Sequence, residues 1–98
     1  MPETQQDPGY IDNKEKVKNR LRRISGQIGG IERMVEEERY CIDILTQISA
    51  AQAAIDKVAL ALLDEHTRHC VVGAETPALR EEKTEELMEA VGRLLKSR

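Results

Sequence analysis

Phenylalanine and tryptophan are absent and tyrosine occurs only twice, so this 98-residue chain holds little of the bulky material from which a small domain builds a private core. Self-association is the expected remedy. No apolar run approaches the roughly 18 residues of a membrane span, and no basic-then-apolar stretch opens the chain. Neither a span nor a secretory signal is expected, and the cytoplasm is the expected compartment. No Ser-His-Asp set, phosphate-cradling glycine loop, internal repeat or alternating strand pattern is present, which excludes the usual signatures of catalysis and of a β fold. There are only two cysteines, Cys41 and Cys70, and they sit far apart on one predicted helix. Their α-carbons cannot come within the roughly 7 Å of an intrachain disulfide, so both are read as reduced thiols open to a metal or an oxidant.

Charge is plentiful. Charged residues make up 34 % of the chain and the formal net charge is −3, yet that average conceals an asymmetry. Between Lys14 and Arg33, the seven bases Lys14, Lys16, Lys18, Arg20, Arg22, Arg23 and Arg33 face only Glu15 and Glu32, a local balance of +5, while the balance from Met34 onward is −5. The basic end can attract phosphate and the acidic end cannot. Charge alone promises no more than non-specific attraction.

Residues 1–11 carry two prolines, a glycine and several polar side chains without periodicity, and read as a mobile tail. Residues 12–98 read as one helical domain. Val17, Leu21, Ile24, Ile28, Ile31 and Val35 repeat at helical spacing and predict a first helix over about 12–38, with Gly26, Gly29 and Gly30 marking a close approach or a kink. The stripe Cys41, Leu45, Ile48, Gln52, Ile55, Ala59, Leu62, His66 predicts a second helix over about 41–70. After Gly73 and Pro77, Leu87, Val91 and Leu94 share one face of a third helix over about 78–95. The fold class is therefore all-α.

His66 and Cys70 form an i, i+4 pair that can share a metal ion. Cys41 lies 25 positions before His66, roughly 37 Å along the same helix, so one chain cannot bring all three to one ion. At about 100° per residue, His66 and Cys70 nevertheless return to within roughly 20° of the direction of Cys41. A second copy packed antiparallel along that stripe, with its two-fold axis near Ala54 or Ile55 in a stretch rich in the small side chains of Ser49, Ala50, Ala51, Ala53 and Ala54, would bring its His66 and Cys70 beside the first copy's Cys41. Two thiolates and one imidazole suit Cu(I), whereas structural zinc wants four protein ligands. On the residues alone a second reading stays open, in which the two cysteines are small core fillers and the pair is incidental. His69 lies about 80° off the stripe and reads as a surface residue. Met34 and Met88 read as packing residues, and Glu81, Glu82, Glu85, Glu86 and Glu89 as a solvated face.

The run Asn19-Arg20-Leu21-Arg22-Arg23-Ile24-Ser25-Gly26-Gln27, the pair Tyr40-Cys41 opening helix two, and His66-Thr67-Arg68-His69-Cys70 together resemble the copper-sensitive operon repressor (CsoR) family of bacterial transcriptional regulators. The resemblance covers nearly all of the chain beyond the tail. It implies a three-helix protomer, an antiparallel dimer forming a four-helix bundle, and a dimer of dimers. It implies Cu(I) held by Cys41 of one chain with His66 and Cys70 of its partner, and Tyr40 and Glu86 hydrogen-bonding near the metal-bound imidazole. The apo tetramer would hold a GC-rich operator through Arg20, Arg22 and Lys57, the last standing where some members carry Arg. Cu(I) would release it and derepress copper export or buffering genes. Nickel and cobalt branches add histidines, including one near the amino terminus, which this tail lacks. Persulfide branches lack the histidine at position 66. Formaldehyde branches pair the first cysteine with the amino terminus, which leaves Cys70 without a role. Two alternatives stand beside copper repression: a thiol- or persulfide-responsive repressor bridging Cys41 and Cys70, and a helical copper buffer that binds no DNA.

Overall fold

The computed structural model describes residues 8–96. Most of the expected tail, 1–7, lies outside the described residues. A short 3-10 turn, Ile11–Asn13, leads into α1 (Lys14–Glu36). Helix α2 (Cys41–His66) runs directly into a π-helical turn, Thr67–Val72, and α3 (Pro77–Lys96) follows. No strand occurs among the described residues, in agreement with the all-α expectation.

The helix ends have local causes. α1 stops in a Schellman arrangement: the Arg39 N–H donates to the Met34 carbonyl at 2.9 Å and the Glu38 N–H to the Val35 carbonyl at 3.0 Å. This puts Glu38 at φ 57°, a left-handed position usually given to glycine. A glutamate there gives no warning in the sequence, and the pattern overran the end by two residues. α3 starts with Pro77 at its first position, and the Thr76 hydroxyl accepts the Leu79 N–H at 3.0 Å.

The largest departure from the helical expectation is at the end of α2. The α register stops at His66, and Thr67 to Val72, including Cys70, follow π geometry. A π turn inserts an extra residue into the helical repeat and recurs at functional sites. Gly73 closes it, because a β-carbon there would stand 2.9 Å from the His69 carbonyl oxygen.

The described residues divide into two compact units, with the boundary between Ala61 and Leu62 inside α2. The unit 13–61 contains α1 and most of α2, and its buried apolar side chains are Ile24 and Val58. The other unit combines residues up to Asp12 with Leu62 onward, packs α3 against the π turn, and buries Cys70. The apolar stripes are not a core within one chain: Leu21, Ile28 and Val35 of α1, and Leu45 and Ile55 of α2, are all exposed. Among the described residues, a β-carbon at Gly26 or Gly29 would meet nothing within 4 Å, so no close approach between them calls for these glycines.

Candidate metal centre and cationic groove

The π turn and the end of α2 set the candidate metal ligands. His66, half-buried, ends the α register, and its Nε2 lies 3.4 Å from the Lys83 carbonyl oxygen on α3. A ring nitrogen facing a carbonyl can only donate, so this contact fits the tautomer with the proton on Nε2 and leaves the Nδ1 lone pair for a metal. Cys70 follows in the π turn and is buried, 7 % exposed as a residue. Cys41, at the first position of α2, is an exposed thiol, and Tyr40 beside it is exposed as well. Among the described residues, no group of three His, Cys, Asp or Glu side chains gathers within one chain to hold a metal. The donor set is complete in kind, two thiols and one imidazole, but one chain does not assemble it.

Around the imidazole, Lys83 has two roles. Its carbonyl faces His66, and its ammonium, on a side chain only 14 % exposed, pairs with Glu86 Oε1 at 3.4 Å. Glu86 thus stands one helical turn from the carbonyl that engages His66. Helical periodicity alone made Glu86 one acid among five, and Lys83 was missed altogether because its contact with His66 is made by the backbone. His69 is exposed, and its Nε2 stands 3.0 Å from Glu65 Oε2.

A second feature lies in the unit 13–61. Arg20, Arg23, Ile24 and Gln27 of α1 and Ala50, Ala53, Ala54 and Lys57 of α2 line a groove of about 640 Å³. Three cationic side chains ring a floor of small residues, so an anionic backbone can approach closely without meeting bulk. Arg20 and Lys57 were singled out from the sequence and share this groove. Arg22 does not line it and donates instead to Asn19 Oδ1 at 3.1 Å. Arg23 was overlooked, although its i, i+3 relation to Arg20 marks the same helix face.

The model of a family described as metal-sensitive transcriptional repressors matches residues 13–93. The copper-sensing transcriptional repressor RicR of Mycobacterium tuberculosis is 50 % identical over 91 residues, covering 91 % of this chain and 95 % of that protein. The copper-sensing repressor CsoR of Bacillus subtilis is 49 % identical over 84 residues, covering 86 % of this chain and 83 % of its own length. The crystal structure of CsoR with Cu(I) from Geobacillus thermodenitrificans superposes with a TM-score of 0.80 at 41 % identity, covering 97 % of this chain and 93 % of that one.

Proposed function

The chain belongs to the metal-sensitive transcriptional repressor family and is not an enzyme, and from that premise we propose that it is a Cu(I)-responsive repressor. In this reading Cys41 of one protomer and His66 and Cys70 of its partner hold one Cu(I), and residues 12–98 act as one sensing and DNA-binding domain. The observation that carries it is the placement of His66: its Nε2 stands 3.4 Å from the Lys83 carbonyl oxygen, an arrangement in which the neutral ring keeps its Nδ1 lone pair for a metal, and the Cys70 thiol follows in the adjoining π turn. Cu(I), when bound, would supply a soft Lewis-acid centre that two thiolates and an imidazole can satisfy without a fourth protein ligand.

The chain's own residues do the rest. Lys83 orients the imidazole through its carbonyl, and Tyr40 and Glu86 are assigned to its surroundings, in keeping with the rule that a metal-bound histidine is steered by its other nitrogen. Arg20, Arg23 and Lys57 hold operator phosphates across the groove, while Arg22, on the adjoining face, contributes less. The copper-free homotetramer, a dimer of antiparallel dimers, grips a GC-rich operator, and the metal-loaded form releases it to derepress copper export or buffering genes. A coupling of about 1–3 kcal/mol suffices for a 5- to 150-fold loss of affinity. No helix among the described residues is long and apolar enough to cross a membrane, and a cytoplasmic location suits both the reduced thiols and the DNA partner.

An anaerobic Cu(I) titration against a competing chelator tests this. One ion per protomer is expected, with uptake weakened sharply by Cys41→Ala and appreciably by His66→Ala. Weak uptake indifferent to both substitutions would reject copper sensing. The exposed thiol of Cys41 supports a second reading, thiol sensing through Cys41 and Cys70. His66→Ala separates the two, since it should abolish the copper response and spare an oxidant response.

A further inference from the structure

Gly9 is buried against the turn that carries Cys70. It adopts φ +91°, and a β-carbon at that position would stand 3.2 Å from Cys70 Sγ, 3.6 Å from His66 Cα and 3.9 Å from the Glu65 carbonyl oxygen. Both the conformation and the space therefore favour glycine. A segment that reads in the sequence as a featureless tail thus ends as a strap whose glycine backbone lies against the thiol of a buried cysteine.

We propose that Gly9 is a positioning residue whose backbone closes over the Cys70 sulfur, so that thiol reagents and thiophilic metal ions reach it only when the segment Gly9–Asp12 lifts. The inference deepens the metal site proposed above and rests on Cys70 as a donor there, but the shielding itself is independent of which metal is sensed. Two observations make the strap displaceable. Ile11 is 57 % exposed and anchors it little, and Tyr10 beside it is only half-buried. An opening of about 270 Å³ lined by Gly9, Ile11, Asp12 and His69 lies beside it, so the strap can shift without unpacking a helix. Such a segment belongs to the low-stability end of local opening, and the thiol reacts in proportion to the open fraction.

The test uses the full-length chain, metal-free and reduced, in a Cys41→Ala background so that Cys70 is the only thiol. Gly9→Val is expected to raise the rate of Cys70 alkylation by iodoacetamide about tenfold, with helicity by circular dichroism unchanged, because a side chain at φ +91° cannot seat against the sulfur. An unchanged rate overturns the proposal. Should Gly9→Val lose helicity, Gly9→Cys in the same background decides. Diamide, which accepts the two thiol hydrogens, should then join the introduced sulfur to Cys70 within one chain, and failure to do so likewise overturns the proposal. Uncovering of Cys70 by Gly9→Val with no Cu(I) uptake by the unsubstituted chain would leave the strap standing and sink the copper reading instead.

Discussion

Consecutive residues leave an α-helix about 100° apart, and Arg22 and Arg23 show the consequence. Arg23 joins Arg20 and Lys57 in the groove, while Arg22 turns to Asn19. Charge counting treats the two alike, but phosphate contact depends on the face. Arg23→Glu is therefore expected to weaken operator binding at least about tenfold and to flatten the dependence of log affinity on log salt by about one unit per lost contact. Arg22→Glu should do much less. Fluorescence anisotropy with labelled operator at several salt concentrations checks this, and an equal loss from the two substitutions would remove the groove from the DNA surface.

At the scale of elements, the breaks between helices hold more information than the helices. Glu38 holds the Schellman turn after α1 in a left-handed conformation that costs an L-residue with a β-carbon about 1 kcal/mol or more. Glu38→Gly should raise stability by about that amount, less the greater freedom of glycine in the unfolded chain, which leaves a net gain of several tenths of a kcal/mol. Urea unfolding at fixed protein concentration reads it, and a fall in the midpoint would mean that the glutamate makes a favourable contact that outweighs the backbone strain. The π turn at Thr67–Val72 takes Cys70, a proposed donor, out of the α register that α2 keeps as far as His66.

For the whole molecule, the decisive quantity is how little a single chain buries. Ile24, Val58 and Cys70 are its buried hydrophobic residues among those described, while large apolar side chains stay exposed along α1 and α2. A chain of this size does not hold helices of this length on so little burial. Pairing along the α2 stripe is the proposed remedy, with Ile55, 45 % exposed in one chain, near the two-fold axis. Ile55→Glu removes about 2 kcal/mol of burial from each chain and sets like charges across the axis. Light scattering should report loss of the oligomer, with reduced helicity and reduced Cu(I) uptake. An unchanged mass would place the seam elsewhere.

The sequence by itself determined the all-α class, three helices to within a few residues, the positions of Cys41, His66 and Cys70 from which the proposed donor set is built, and the basic stretch that carries Arg20. These follow from composition and from periodicities that local sterics impose wherever the chain lies. Only the tertiary structure decided the rest. It placed Arg23 rather than Arg22 in the groove with Arg20 and Lys57, set the Lys83 carbonyl against His66, turned the end of α2 into a π turn, and laid Gly9 against Cys70. Each of these depends on backbone atoms or on contacts between distant segments. A backbone carbonyl has no letter of its own, and a glycine chosen for the space it leaves empty looks in the sequence like any other glycine.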